Sequence, residues 1–278
     1  MAVEKQVGIE VEFLVLDSKG EVILAPTYLD RDDFPILGEI RALPGKNMAE
    51  CMGNFHKKML DVKSCLAKTH TMSIETMRRV KLKVYQEAMK QCQRAKNEMF
   101  GEIKNIYGTN IADFSDQVIK DNKIQGINIS CGLHLHFSCR HIDEVEVEDR
   151  EYEQVELPIA VSTAEGELVK REGVHNLLQP SIYLYKYKGY KTKKTLKAQA
   201  SLLNKPTIEY IVRHFDEVWF KKFAPKKAEC TKYRQPGFWE KKDYGFEYRS
   251  LPANAETIEA LPDMINDAFA LLKIAADN

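Results

Sequence analysis

The chain lacks the features that would commit it to a specialised environment. It has no Cys-x-x-Cys pair. Its cysteines, Cys51, Cys65, Cys92, Cys131, Cys139 and Cys230, form no tight framework and read as reduced cytosolic thiols. No stretch approaches the ~20 apolar residues that a membrane-crossing helix needs. The opening MAVEKQVGIEVEF has no signal-peptide core, so a cytoplasmic protein without a membrane partner is expected. There is no surplus charge: 41 Lys plus Arg meet 41 Asp plus Glu. No global field then draws the chain to nucleic acid or membrane, and an anionic ligand has to be held by local charge. Neither a repeat, a low-complexity bias nor a long linker is present, so residues 1–278 are expected to form one catalytic-sized domain.

What is present is alternation. VGIEVEFLVLD (7–17) reads as a first strand, and SKGEVILAP follows as its hairpin partner after a Lys19-Gly20 turn. LGEIRALPG (37–45) is a short extended piece closed by Pro44-Gly45. Met48, Met52, Phe55, Met59, Val62 and Leu66 recur at helical spacing, as do Val84, Ala88, Cys92, Ala95 and Met99. A helical excursion over 47–107 follows, with RVKLKV (79–84) alternating like a strand inside it. INISCGLHLHFS after Gly126 reads as one strand, Asn204 to Lys222 as a helix capped by Asn204, YGFEYRSLPAN as a strand, and Ala255 to Ala276 as a terminal helix. Residues 143–156 hold eight acids and one arginine, and residues 186–197 hold six lysines beside Tyr183, Tyr185, Tyr187 and Tyr190. The region 143–225 is expected to be a charged insertion.

Four segments share one device. Glu10 and Glu12 alternate with Ile9, Val11 and Phe13; Glu39 and Arg41 flank Ile40; His134 and His136 alternate with Leu133, Leu135 and Phe137; Glu247 and Arg249 flank Tyr248. Successive strand side chains face opposite ways, so each segment offers two polar groups on one face and apolar bulk on the other. Together they predict an antiparallel sheet with one face on helices and the other lining a polar cleft. A cross-strand ladder of ion pairs is the plainer alternative. Cys131-x-x-His134-x-His136-x-x-Cys139 resembles a zinc set, but a regular strand puts the cysteines and histidines on opposite faces.

Clustered carboxylates repel unless cations intervene, and Mg2+ or Mn2+ accepts both carboxylate and imidazole. Arg41 and Arg249 add fixed charge suited to phosphate or carboxylate. Carboxylates, histidine and arginines around divalent metal are the parts that phosphoryl transfer from a nucleotide requires.

GIEVEF, GEIRALPG, GLHLHFS and YRQPGFWEKKDYGFEYRSLPAN, in that order, resemble the phage-type carboxylate–amine ligases (type 2 amidoligases) of the glutamine synthetase and glutamate–cysteine ligase superfamily. The last block, Tyr233-Arg234 leading to Tyr244-Gly245-Phe246-Glu247-Tyr248-Arg249, carries most of the likeness. The resemblance implies an α+β fold, with a curved, mainly antiparallel sheet, helices on one face and an open catalytic cleft on the other. It implies an ATP-dependent enzyme, in the host cytoplasm if phage-encoded, that joins a carboxylate to an amine through an acyl-phosphate. Small molecules, peptides or a macromolecule are the substrates it allows. By the same resemblance Glu10, His134 and Glu247 hold one metal ion, while Glu12 and Glu39 hold another. His136 lies near the nucleotide, and Arg234 and Arg249 contact phosphates and the acyl-phosphate. Arg41 stands outside the family pattern and is placed at the nucleotide by its charge. Two other functions remain open: phosphotransfer of the guanidino-kinase type, and non-catalytic nucleic-acid binding through the Lys/Tyr stretch 183–197.

Overall fold

The computed structural model describes residues 2–92, 103–108, 117–120, 123–156, 161–162, 168–169, 183–224 and 234–277. In chain order the elements are β1 (Ala2–Leu16), β2 (Val22–Ile23), β3 (Leu37–Arg41), α1 (Met48–Cys65), β4 (Thr71–Ser73), β5 (Arg78–Lys81), α2 (Leu82–Gln91), β6 (Ile103–Asn105), β7 (Gln117–Lys120) and β8 (Lys123–Ile129). Then come β9 (Gly132–Glu156), β10 (Val161–Ser162), β11 (Leu168–Val169), β12 (Tyr183–Ser201), α3 (Lys205–Phe215), β13 (Phe238–Lys242), β14 (Gly245–Pro252), α4 (Ala255–Glu259) and α5 (Leu261–Asp277). None of the described helices is long and apolar enough to cross a membrane.

The chain forms two compact units, Met1–Ile142 with Ala198–Asn278, and Asp143–Lys197. The first is built on a large antiparallel sheet in the order β2-β1-β9-β14-β13-β6, with β3 and β4 also pairing with β1. The predicted hairpin is present. Val15 and Leu16 pair with Ile23 and Val22, and Asp17 Oδ1 accepts from the Lys19 and Glu21 amides across a turn in which Gly20 has φ 74°.

Alternation decides which face is buried. Val7, Ile9, Val11 and Phe13 from β1, Leu133, Leu135 and Phe137 from β9, and Phe246 and Tyr248 from β14 join the core. Phe137 stacks on Phe246 with centroids 4.6 Å apart and meets Phe215 of α3 edge-on at 5.3 Å. Phe55 and Val62 of α1, Ile208 and Val212 of α3, and Met264, Ile265 and Leu272 of α5 complete that layer. The helices thus cover the apolar face that the sequence pattern reserves for them.

Asn47 and Asn204 cap α1 and α3 by accepting from the amides of Glu50 and Thr207. Beyond Phe215 the helix widens into a π-helical stretch, Asp216–Phe220, where buried Asp216 accepts from Tyr248 Oη at 2.7 Å. The terminal helix is divided in two at Ala260, beside Pro262, which has no amide to give back to Ile258.

Four sequence expectations change. RVKLKV divides: Arg78–Lys81 is β5, paired with β8, and the helix starts at Leu82, so 47–107 is not helical throughout. Ala95 and Met99, placed on that helix by periodicity, lie outside the described residues, as does Tyr233. INISCGLHLHFS is two strands, β8 in a separate β5-β8-β7 sheet and β9 in the large one, parted at Ser130-Cys131 where the Arg234 side chain engages the backbone. The charged insertion ends as a unit at Lys197. The helix from Lys205 lies in the first unit, because Ile208, Ile211, Val212 and Phe215 are needed to cover the sheet. In the second unit, β10 and β11 pair antiparallel, and of the Lys/Tyr stretch Lys188 and Lys197 are exposed.

Candidate active site

Strand register brings the four predicted segments onto one face. Glu10 of β1 is opposite Arg41 of β3 on one side and His134 of β9 on the other, and Glu12 is opposite Glu39. His136 is opposite Gly8 of β1 and Glu247 of β14. Glu247 in turn is opposite Glu240 of β13. Glu10, Glu12, Glu39, His134, Arg234 and Glu247 are all buried, none more than 8 % exposed, which requires that their charges be compensated locally.

His134 is the hub. Its Nδ1 lies 3.1 Å from Glu10 Oε1 and 3.0 Å from Glu247 Oε1, so a proton on Nδ1 serves both carboxylates. Its Nε2 is 3.6 Å from Glu12 Oε1 and 3.4 Å from Arg234 NH1. Burial and the Arg249 charge press the imidazole towards neutrality. Glu12, Glu10 and Glu247 outweigh them and raise its pKa above the ordinary value. Burial also opposes ionisation of Glu10 and Glu247. His134 and His136 nevertheless hold Glu10 well below the usual carboxylate range, and Arg249 with His134 does the same for Glu247.

Glu39 behaves differently. Burial first, then the charges of Glu10 and Asp32, push its carboxyl up to about 9. Its Oε2 lies 2.6 Å from Arg41 NH2, but without hydrogen-bond alignment, and it is buried with no hydrogen-bond partner among the described residues. Proximity to Arg41, half out in solvent, does not offset the cost of placing this charge beside three other acids. Asp32, in the loop before β3, is pushed up to about 6 by burial and by Glu12.

The side chains of Glu10, His136 and Glu247 each offer a ligand atom within 4.8 Å of the others. Two carboxylate oxygens and one imidazole nitrogen suit Mg2+ or Mn2+, so the donor set fits the expected cation. His136 completes this trio, whereas His134 lies between the two carboxylates as a hydrogen-bonding partner. Glu12 is engaged elsewhere: its Oε2 accepts from Arg234 NH2 at 2.7 Å and from the Gly132 amide at 2.5 Å. The zinc arrangement does not form. Cys131 and Cys139 point into the apolar core, and burial pushes the Cys131 thiol up to about 12, far from the thiolate that zinc binds.

The arginines divide by task. Arg234 is held by Glu12, by Ser130 Oγ at 3.1 Å and by the Arg249 carbonyl at 3.2 Å. Arg249 NH1 bonds Glu247 at 2.5 Å and Glu240 at 3.2 Å. Both therefore hold carboxylates in place. Arg41 is at the surface, its side chain 55 % exposed, with Nε 3.0 Å from Glu10.

Sequence reasoning missed three participants. Lys242 Nζ bridges Glu240 at 2.6 Å and Glu247 at 3.0 Å. Glu240 and Lys242 in FWEKK repeat the alternating device of the other strands, and that signal could have found them. Tyr244 Oη is 2.6 Å from His136 Nδ1, a contact made across the β13–β14 turn and visible only once the register is known. A cavity of ≈ 340 Å³ opens beside the trio, walled by Gly8, Glu10, Arg41, His136, Ser138, Arg140 and Tyr244 among others. Comparison with family models, with curated proteins and with solved structures finds no match for the chain.

Proposed function

We propose that this chain is an ATP-dependent carboxylate–amine ligase, with a glutamine synthetase-like sheet whose polar face is the catalytic floor. The observation that carries the reading is the convergence of Glu10, His136 and Glu247 on one face, with buried His134, Arg234 and Arg249 around them. The motifs that suggested the family therefore come together as one site rather than scattering over the surface. Glycine at position 8, opposite His136, also supports it. A side chain there would stand 3.2 Å from His136 Cβ and narrow the cavity that a nucleotide has to enter.

The reaction has two steps. A carboxylate oxygen attacks the terminal phosphorus of ATP and ADP leaves. An amine nitrogen then attacks the acyl carbon, inorganic phosphate leaves and the nitrogen gives up a proton. A divalent cation bound at Glu10, His136 and Glu247 would neutralise polyphosphate charge and stabilise the leaving group. Arg234, Arg249 and Lys242 hold Glu12, Glu240 and Glu247 in place through ion pairs, so the carboxylates need no reorganisation during transfer. Arg41, with its side chain half exposed, is the cation placed to turn from Glu10 towards the transferred group. The apolar layer beneath the floor keeps water from the acyl-phosphate from below.

Hydroxylamine tests the reading. The full chain incubated with ATP, Mg2+, hydroxylamine and a panel of carboxylic acids should release ADP and form a hydroxamate with at least one acid. ADP release accompanied by a phosphorylated guanidine and no hydroxamate would assign the site to phosphotransfer instead.

A further inference from the structure

The cations on the polar face are not equally engaged. Arg41, Arg234, Arg249 and Lys242 each touch a carboxylate. Arg140 does not. It follows Ser138 and His136 at two-residue steps on β9, on the same face, and walls the ≈ 340 Å³ cavity. Its register partner on β1 is Glu4, the counter-ion that position would supply. Glu4 is already held by Lys46 Nζ at 2.7 Å. Among the described residues no carboxylate or carbonyl pairs with the Arg140 guanidinium, and its Nε is buried without a hydrogen-bond partner. A buried N–H with no acceptor is costly and rare in a folded chain, and an ordered water, an ion or a ligand is what ordinarily satisfies it.

We propose that Arg140 grips a phosphate group of a ligand lying in this cavity, at the end away from the Glu10–His136–Glu247 trio. The Cα atoms of His136 and Arg140 are ~13 Å apart along the strand, so the group held by Arg140 is distinct from one lying over the trio. Arg41 and Arg140 line the same cavity, and two guanidiniums suit a polyanion better than a single carboxylate. Glu10 on the same wall repels a ligand that brings no cation with it, which favours a metal-complexed phosphate chain over free anions. That a nucleotide supplies this phosphate rests on the ligase reading; the phosphate subsite itself does not.

Calorimetric titration of the full chain with inorganic tripolyphosphate and, separately, with ADP, both with Mg2+, tests the assignment. The wild type should bind tripolyphosphate, and Arg140→Gln should bind it about 10-fold or more weakly. Arg140→Lys, which keeps the charge but not the fork, should fall between them and carries the test if the glutamine variant does not fold. Mn2+ binding to the trio should be unchanged, which a general disturbance of the sheet would not allow. Equal weakening for ADP supports a nucleotide-borne phosphate, and weakening for tripolyphosphate alone supports a free polyphosphate. Wild-type affinity of Arg140→Gln for both probes, or no binding of either by the wild type, overturns the proposal. A chain that binds tripolyphosphate through Arg140 but yields no hydroxamate would count against the ligase reading alone.

Discussion

The guanidinium of Arg234 lies against the backbone of Gly132, so closely that a methyl group at Gly132 would stand 2.5 Å from NH2 and 2.6 Å from Cζ. The same guanidinium holds Glu12 and Ser130, and the Gly132 amide donates to the same Glu12 oxygen. Glycine is needed here for space, since its backbone is not in the left-handed region. Gly132→Ala should displace Arg234 and leave Glu12 buried with one partner fewer. A loss of about 2–4 kcal/mol in urea unfolding is expected. Wild-type stability would mean that Arg234 is not wedged.

Glu247→Gln should reduce cation-dependent ATP turnover by on the order of 100-fold or more while the protein still folds. It should also cost about 1–3 kcal/mol at pH 7, since Arg249 and Lys242 lose their charged partner. The sign of its pH dependence is set by the lowered pKa of Glu247. A carboxylate held below its unfolded value of ~4.3 stabilises the fold above that pH and loses its contribution as pH falls through the folded value. The gap between wild type and variant should therefore shrink in strong acid, read as the difference in unfolding free energy at pH 7 and near pH 2.

Mn2+ at about 100 times its dissociation constant should stabilise the wild type by ~2.7 kcal/mol. For a unit of this size that is roughly 5–10 °C in Tm. Glu10→Gln or His136→Ala should remove the shift, and a chelator should reverse it in the wild type. A shift that survives in both variants would place the cation elsewhere.

Burial pushes the Cys51 thiol up to about 11 and the Cys131 thiol up to about 12, whereas Cys65 is exposed. A thiol reagent at pH 8 should label Cys65 in the native chain and reach Cys51 and Cys131 only after unfolding. The unfolded chain releases these protons near pH ~8.5, before the folded one, so stability should fall as pH rises from there towards 12. Rapid native labelling of Cys131 would contradict its place in the core.

The sheet was legible because alternation is a local property. Glu10-x-Glu12, Glu39-x-Arg41, His134-x-His136 and Glu247-x-Arg249 each carry their face assignment within three residues, and antiparallel pairing then collects them. What depends on distant partners was not legible. The break at Ser130-Cys131 coincides with the contact to Arg234, far along the chain, and INIS reads as one run with GLHLHFS without it. Which histidine faces the acid pair of the trio, and which sits between its members, depends on a register that GLHLHFS alone does not contain. Arg140 looked like an ordinary strand charge because its oddity is the lack of a partner among the described residues. Glu4 is its neighbour by pairing, and only the folded chain gives Glu4 to Lys46.

The opposition of Glu10 to His134 has a consequence for how such a protein can change. Sliding β9 by one residue against β1 would turn both imidazoles down among Phe215 and the α5 side chains and lift Leu135 and Phe137 into water. The spacing of the site is therefore quantised: it cannot be tuned by small strand shifts, because the nearest alternative register inverts the whole floor. Variation in what the protein accepts has to come from the walls around a fixed lattice of side chains, such as the loop carrying Asp32, the Ala42–Pro44 rim and the turn that presents Tyr244.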